Sequence, residues 1–206
     1  MKIKTFGATV LTAMILLSAT TPLMSNAFAT CFANRIVGIG GGSGTYMWIS
    51  HDFHGYTGLH LVTAQHLVNG ASSITVATNC GNFNESVLYQ EAYPAGDDFA
   101  VVATTGITFA SWYNQATPYV GENVNMYTWN VGSYSGYVKI VGGYQGHPGW
   151  SLVCSRTSAP SGASGGPVLD SVLGNIVGMS DRNAGLATDG FCGPKGQVWY
   201  GWIIYG

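Results

Sequence analysis

The chain is built from short apolar runs that are interrupted every few positions by glycine, asparagine or another polar residue. No long stretch repeats its apolar residues with the helical period of about 3.6 residues. The runs lie at 46–49, 59–62, 73–77, 99–103, 123–129, 137–141, 150–153, 167–169, 175–179 and 197–204. Many short strands separated by turn residues predict an all-β fold, either a sandwich or a barrel architecture. The length suits one compact unit or two small barrels.

The first 29 residues have a different pattern, which is typical of a secretory signal peptide. Lys2 and Lys4 precede an apolar stretch around Val10–Leu17, and Ala27-Phe28-Ala29 supplies the small residues of a cleavage site. The apolar stretch is too short, and is broken too soon at residues 20–22, to cross a bilayer as a helix. We therefore expect cleavage after Ala29 and secretion of residues 30–206, outside the cell or into a Gram-negative periplasm, with no remaining membrane attachment.

The charge of the chain excludes one class of partner. The full sequence has 7 Lys and Arg against 9 Asp and Glu. Two of the lysines lie in the predicted signal peptide, so the mature chain carries five basic residues, which are scattered, and a net charge of −4. Without a basic patch, nucleic acid is not an expected partner. A charged fraction of 8% with 47% hydrophobic residues also excludes disorder and indicates a compact domain.

Three segments carry the residue types that can activate a serine. Gly162–Pro167 places Ser164 among glycines, the run 61–66 ends in His66, and Asp98 begins the run 98–102. A serine hydroxyl is a weak nucleophile near neutral pH and needs a base, and the base needs a carboxylate to fix its tautomer. His66, Asp98 and Ser164 could fill these roles. Known triads of this kind differ in the order of their residues along the chain, and the order His, Asp, Ser is typical of one of them.

Each of the three residues also has an ordinary alternative role. A serine between glycines can be only a turn, a histidine at a strand end can be structural, and an aspartate before an apolar run can cap a loop. The glycine-rich segment is the most specific signal, His66 comes next, and Asp98 is the weakest alone. Their joint occurrence in this order indicates a catalytic triad.

These segments resemble the signature blocks of the chymotrypsin-like (trypsin-like) serine peptidases, and the chain is most similar to the small secreted bacterial members. Residues 63–66 are similar to the family's Thr-Ala-Ala-His block, and residues 98–102 to its Asp-Ile-Ala-Leu-Leu block. Residues 162–167 are similar to Gly-Asp-Ser-Gly-Gly-Pro, and 174–179 to the strand that follows the serine. The resemblance extends from about Ile36 to the C-terminus.

The resemblance implies two packed antiparallel β-barrels with the active site between them, the first over about 30–117 and the second over about 118–206. It implies a serine endopeptidase that hydrolyses peptide bonds through an acyl-enzyme on Ser164. His66 would be the general base and then the acid, and Asp98 would orient it. The backbone N–H groups of Gly162 and Ser164 would form the oxyanion hole. The expected partner is a protein or peptide substrate, the expected state is a monomer, and neither a cofactor nor a metal is expected.

The four cysteines all lie in the predicted exported portion, where disulfides persist. The sequence alone allows three pairings and does not choose between them. The resemblance implies a bridge between Cys154 and Cys192 across the walls of the substrate pocket, which leaves Cys31 with Cys80.

Ala163 is the main departure from the family pattern. Trypsin-type relatives carry an aspartate at this position, which pairs with a new isoleucine N-terminus released by cleavage after Arg or Lys. Arg35-Ile36-Val37-Gly38 looks like such a cleavage site, but Ala163 has no carboxylate, and a buried ammonium without a partner would be strongly unfavourable. We therefore predict that residues 36–38 form the first strand of the barrel, and that cleavage after Arg35 is not required.

The substrate preference stays open at this level. By family position, residues 158–161 and 180–183 should line the primary specificity pocket. If Asp181 pointed into the pocket, basic substrate residues would be favoured; alternatively, Asp181 pairs with Arg182 or forms hydrogen bonds near the triad. The absence of an acidic residue at 158–161 argues against a simple trypsin-type pocket.

Three further alternatives accompany the main hypothesis. His51 and His54 have a spacing that could ligate a metal, but no nearby Cys or Glu completes a site, and a surface loop is the simpler interpretation. The runner-up function is a catalytically inactive secreted binding module of the same fold, which Ala163 favours slightly and the intact triad disfavours. An esterase would share the chemistry but suits the expected cleft less well.

Overall fold

The computed structural model describes residues 31–53, 55–91, 98–130, 132–187 and 190–205, with the backbone alone at 51–53 and 205. The predicted signal peptide, His54 and the side chain of His51 lie outside this description. Within the described residues, no helix has the length and apolarity needed to cross a membrane.

The first half of the described chain forms a closed antiparallel barrel of six strands. Its strands are β1 (Ile36–Ile39), β2 (Gly42–Phe53), β3 (Tyr56–Ala64), β4 (Ser73–Thr78), β5 (Gly81–Gln90) and β6 (Phe99–Val102). They pair in the order β1-β4-β5-β6-β3-β2, and β2 pairs back with β1. A short strand β7 (Tyr113–Asn114) lies parallel to β2. The one helix of a full turn, α1 (Gln65–Val68), follows β3 directly among the described residues.

The second half forms another closed barrel of six strands. Its strands are β8 (Asn123–Thr128), β9 (Gly132–Ile140), β10 (Trp150–Ser155), β11 (Pro167–Asp170), β12 (Ile176–Leu186) and β13 (Tyr200–Tyr205). They pair in the order β10-β13-β12-β11-β8-β9, and β9 closes onto β10. The predicted all-β fold of two antiparallel barrels is therefore confirmed.

Each barrel has its own apolar interior, because alternate residues of its strands point inward. The first interior contains Val37, Ile39, Leu61, Val76 and Val102, and the second contains Val124, Met126, Val168, Trp202 and Ile204. A third buried cluster joins the barrels, with Met47, Ile49, Val62 and Val101 from the first and Leu169, Ile176 and Met179 from the second. This shared core fixes the two barrels against each other, and the candidate site lies at the same junction.

Both disulfides implied by the resemblance are present, and they leave none of the cysteines free. Cys31 is bonded to Cys80 with a Cα–Cα distance of 5.7 Å, and Cys154 to Cys192 with a Cα–Cα distance of 5.4 Å. The first bridge ties the N-terminal segment to the β4–β5 turn, and the second ties β10 to the segment that precedes β13.

Candidate active site

Sheet pairing brings His66 and Asp98 together. β3 ends at Ala64 and passes into α1, which carries His66, while the neighbouring β6 begins one residue after Asp98 with Ala64 paired to Phe99. The His66 backbone N–H donates to Asp98 Oδ1 (2.8 Å) and the His66 ring nitrogen Nδ1 donates to Asp98 Oδ2 (2.6 Å). A carboxylate only accepts, so the proton of the neutral ring lies on Nδ1 and the Nε2 atom keeps its lone pair.

The charge on Asp98 is strongly favoured despite its complete burial. Burial alone would raise the pKa of this carboxyl, but the hydrogen bonds from the His66 ring, from Asp181 and from the His66 backbone outweigh it and hold the pKa of Asp98 well below its ordinary value. Asp98 is therefore a carboxylate near neutral pH.

Ser164 lies in the loop that joins β10 to β11, and two glycines let this loop approach the first barrel. A Cβ atom on Gly165 would lie 1.8 Å from the Ser43 carbonyl oxygen and 2.5 Å from Thr63 Oγ1, so no other residue fits there. Gly162 has a φ of 87°, in the left-handed region that glycine adopts without strain. The Gly-x-Ser-Gly pattern is thus explained by close packing and by one turn.

Hydrogen bonds from β2 hold the same loop in place. Ser43 N–H donates to the Ser164 carbonyl (2.7 Å), Ser43 Oγ donates to the Gly162 carbonyl (2.9 Å), and Thr45 Oγ1 donates to the Gly165 carbonyl (2.9 Å). Each of these bonds occupies a carbonyl oxygen of the loop. The backbone N–H groups of Gly162 and Ser164 have no hydrogen-bond partner among the described residues, so both donors are available to an added acceptor.

The Ser164 hydroxyl donates to the backbone carbonyl of Asp181 at 2.7 Å. The Asp181 side chain lies near the His66 ring, since its Oδ1 atom is 3.9 Å from His66 Nδ1. The structure therefore brings the predicted residues Ser164, His66 and Asp98 around Asp181. The described serine conformer points at the Asp181 carbonyl and not at the His66 ring.

Asp181 and Arg182 complete the cluster. Asp181 is fully buried, and its Oδ2 atom accepts from Arg182 Nε (3.1 Å). The Nη2 atom of Arg182 donates to Asp98 Oδ2 (3.0 Å), and its guanidinium lies 4.9 Å from the centroid of the Trp150 ring. Of the two possibilities for Asp181, the structure favours pairing with Arg182 beside His66 and Asp98. Sequence reasoning missed the bond from Arg182 to Asp98, although an arginine next to Asp181 was the available signal.

The segments expected to line the specificity pocket contact each other. Asn183 Nδ2 donates to Ser158 Oγ at 2.6 Å, which joins the end of β12 to the loop before Ser164. The Asp181 carboxyl does not take part in this contact, because it faces Asp98 and Arg182. The two residues that meet here are neutral and polar.

Ile36 and Ala163, the two positions that activation by cleavage after Arg35 would bring together, lie in separate cores. Ile36 is the first residue of β1 and pairs with Thr45, as predicted for a barrel strand. Ala163 is buried among Val124, Val168 and Trp202 in the second barrel. An apolar contact therefore anchors the loop at the position where trypsin-type relatives carry an aspartate.

One group of described side chains has a spacing that could suit a metal ion. One ligand atom from each of His66, Asp98 and Asp181 lies within 4.8 Å of the others. The guanidinium of Arg182 already contacts both carboxylates and supplies the positive charge that a cation would bring. The group is therefore better described as a charge cluster than as a metal centre.

Comparison with known proteins places this geometry in context. A family model described as a trypsin-like peptidase domain matches residues 42–179. Among curated protein sequences, none matches the chain.

Solved structures of peptidases resemble the chain in fold. Rv3671c from M. tuberculosis H37Rv, in an inactive mutant form, is 19% identical over 84% of this chain and 81% of its own, with a TM-score of 0.54. The MamO protease domain from Magnetospirillum magneticum is 20% identical over 83% of this chain and 91% of its own, with a TM-score of 0.51. The HtrA-type protease AlgW, solved with a decapeptide, is 18% identical over 80% of this chain and 48% of its own, with a TM-score of 0.52. At these identities the likeness shows the two-barrel fold.

Proposed function

We propose that this chain, which belongs to the family of trypsin-like peptidase domains, is a secreted serine endopeptidase that cleaves peptide bonds through an acyl-enzyme on Ser164. Membership of this family shows that the chain is a serine-type peptidase. The proposal adds which residues catalyse the reaction and in which compartment the protein acts. The observation that carries it is the pair of hydrogen bonds from His66 to the buried Asp98, beside a glycine-flanked serine.

In the proposed reaction His66 accepts the proton of Ser164 while the hydroxyl oxygen attacks the scissile carbonyl. Rotation about the Cα–Cβ bond of Ser164 takes the hydroxyl from the Asp181 carbonyl towards Nε2, and such a rotation between staggered conformers is small and local. Asp98 then stabilises the imidazolium that forms. His66 returns the proton to the leaving amine, and water repeats the sequence to release the acyl group.

Negative charge develops on the carbonyl oxygen during both steps and needs donors that are already in place. The N–H groups of Gly162 and Ser164, for which the described residues supply no acceptor, suit this role. Glycine at 162 adopts the positive φ that its turn requires, and the bonds from Ser43 and Thr45 hold the loop before substrate arrives. Preorganised donors of this kind are worth roughly 10²- to 10³-fold in kcat each.

Two disulfides support the secreted part of the proposal, because such bonds persist in oxidising compartments. The predicted leader, residues 1–29, supplies the route. Amino-terminal sequencing of protein recovered from culture medium or periplasm should begin at or near Thr30. Recovery of the uncleaved chain from the cytoplasm would contradict secretion.

The catalytic assignment is tested by labelling with a serine-directed fluorophosphonate. The expected result is a single adduct on Ser164, located by mass spectrometry of the digested protein. Ser164→Ala should abolish labelling, while Ser171→Ala, an exposed serine outside the segments expected to line the pocket, serves as the control and should label fully. An adduct on a different serine would overturn the assignment of the nucleophile.

A second candidate function is an inactive secreted binding module. The observation that favours it is the bond from the Ser164 hydroxyl to the Asp181 carbonyl, which leaves the hydroxyl turned away from His66. This alternative predicts a folded, disulfide-bonded protein that neither reacts with the fluorophosphonate nor cleaves any member of a mixed peptide library. Cut sites mapped by mass spectrometry from the same library would exclude it.

A further inference from the structure

Two buried carboxyl groups lie side by side in the site, although the family mechanism uses only one. Asp98 and Asp181 are both completely buried. Arg182 contacts both of them, through Nη2 to Asp98 and through Nε to Asp181. One guanidinium can balance one carboxylate, so the second must find another compensation or carry a proton.

The donors are divided unequally between the two groups. Asp98 receives the His66 backbone N–H, the His66 ring N–H and one Arg182 N–H. Among the described residues, Asp181 receives only Arg182 Nε at its Oδ2 atom, and its buried Oδ1 atom has no hydrogen-bond partner. A buried carboxylate oxygen without a donor is costly, whereas a protonated carboxyl turns that oxygen into a donor. The Asp98 carboxylate is an acceptor in the same cluster, in which one ligand atom from each of His66, Asp98 and Asp181 lies within 4.8 Å of the others.

We propose that Asp181 is a carboxylic acid in the active enzyme and donates a hydrogen bond to the Asp98 carboxylate. Asp181 is then a positioning residue that acts on His66 through Asp98. This inference rests on the proposed function, because it assumes that His66 and Asp98 form the base of the catalytic triad.

The charge of the cluster follows from this assignment. Ionised Asp98 and Arg182 balance each other, and His66 is neutral and able to accept the proton of Ser164. If both aspartates were ionised, the added negative charge would favour the protonated form of His66, which cannot accept the proton of Ser164. A protonated Asp181 therefore keeps His66 available.

The surroundings of Asp181 favour the neutral form. In the part of the chain that the structure describes, the charged and titratable groups that face it are His66 and Asp98 from the first barrel and Arg182 from its own strand. Of the flanking strands, β13 has no acidic or basic residue, and Asp170 of β11 caps the turn at 172–175. Burial, followed by the hydrogen bond and charge of Asp98, raises the pKa of Asp181 to about 8, although Arg182 opposes the rise.

The first experiment compares Asp181→Asn and Asp181→Ala in the pH dependence of kcat/KM. Asparagine can donate the same hydrogen bond without a charge, and alanine cannot. Asp181→Ala should lower kcat by about 10- to 100-fold with little change in KM, the value of one hydrogen bond to a charged group. Asp181→Asn should recover most of that loss and should lack a fall in activity near pH 8 that the natural enzyme shows.

The low-pH limb of the kcat/KM profile distinguishes a neutral Asp181 from an ionised one. If Asp181 is already neutral, Asp181→Asn removes no charge and the limb that reports His66 stays in place. If Asp181 is ionised, the same variant removes a neighbouring negative charge and moves that limb down by about one pH unit. The second result would overturn the proposal.

A second experiment needs no catalysis and is made in the Ser164→Ala background. The pKa of Asp181 in the folded chain lies above its ordinary value of 3.8, so the stability contributed by its proton is complete below pH 4 and is lost as the pH rises towards 8. Asp181→Asn should therefore gain melting temperature relative to its parent as the pH rises through this window. The matched control Asp170→Asn should show no such gain: despite burial, bonds from the amides of residues 172–175 lower the pKa of Asp170, so its charge stabilises the fold to the same extent throughout the range above pH 4.

Infrared titration of the same Ser164→Ala protein reads the proton directly. A carboxylic acid C=O band present at pH 6, lost by pH 10 and missing in Asp181→Asn is the expected result. A spectrum of Asp181→Asn identical to that of its parent at pH 6 would overturn the proposal. Because these measurements do not use substrate, a failure of Ser164 to react with the fluorophosphonate would refute the proposed function while the state of Asp181 was still decided.

Discussion

The two barrels build their halves of the site in different ways. The first barrel contributes His66 and Asp98 at the adjoining ends of β3 and β6, where the sheet register itself sets their separation. The second contributes Ser164 from a loop between β10 and β11. That loop depends for its position on hydrogen bonds from Ser43 and Thr45, which belong to the other barrel.

Because of this difference, substitutions in the two barrels should affect stability and catalysis in different proportions. A change within the first barrel alters the pairing of His66 with Asp98 only if the sheet itself is disturbed, and then folding suffers too. A change at the loop contacts can move Ser164 while both barrels stay folded. The comparison therefore predicts that catalysis is the more sensitive property in the second barrel.

The largest effect is expected when either half loses its reacting side chain. Ser164→Ala and His66→Ala should each lower kcat by about 10⁶-fold, and the double variant should be no worse, because a triad acts as a unit. Steady-state kinetics on a peptide identified from the cleaved library measure this. Losses that multiply in the double variant would show that the two barrels contribute independently.

The residues proposed for this unit could be proposed from the sequence because their chemistry is local in sequence. Ser164 lies between glycines that close packing requires, and His66 ends an apolar run. β5 was not predicted, because Asn82, Asn84 and Ser86 give it the composition of a turn, and its strand character comes from pairing with β4. The contact of Arg182 with Asp98 was also missed, since it joins positions 84 residues apart that only the packing of the barrels brings together.

The two disulfides provide the next test of the comparison. Replacing either pair by serine should cost about 2–5 kcal/mol of unfolding free energy. Loss of Cys154–Cys192 should also lower kcat/KM, since Cys154 is the penultimate residue of β10, which leads into the Ser164 loop, and the Cys192 carbonyl accepts from Tyr137. Loss of Cys31–Cys80 should leave kcat/KM unchanged. Kinetics at a temperature where both variants are folded decide this, and equal losses of kcat/KM would refute the pocket role of Cys154–Cys192.

A smaller effect is expected at the contact between the barrels. Ser43→Ala removes the bond to the Gly162 carbonyl and leaves Trp129 N–H without its acceptor. We expect kcat to fall by about tenfold, in keeping with one or two hydrogen bonds of ordinary strength. Thr78→Ala, which removes a comparable hydroxyl bond to Gly81 within the first barrel, is the matched control and should alter the melting temperature alone. If Thr78→Ala lowers kcat as much as Ser43→Ala, the distinction between the barrels fails.

The smallest effect is expected at Arg35, where the sequence resembles an activation site. Arg35→Gln should leave kcat/KM essentially unchanged, because Ile36 is held in β1 by pairing with Thr45 and Ala163 offers no carboxylate to a new N-terminus. The Arg35 guanidinium lies 3.9 Å from the centroid of the Tyr113 ring, so the variant should lose only about 0.5–1 kcal/mol of stability. Acetylation of the mature N-terminus should be equally without effect on turnover.

A folded but silent Arg35→Gln protein that trypsin treatment does not rescue would instead show that an activation partner other than residue 163 exists. Asp170 already accepts from backbone amides and Asp181 from Arg182, so the search for that partner would begin with Asp97. The loop around Gly162 would then depend for its position on cleavage after Arg35 as well as on Ser43 and Thr45.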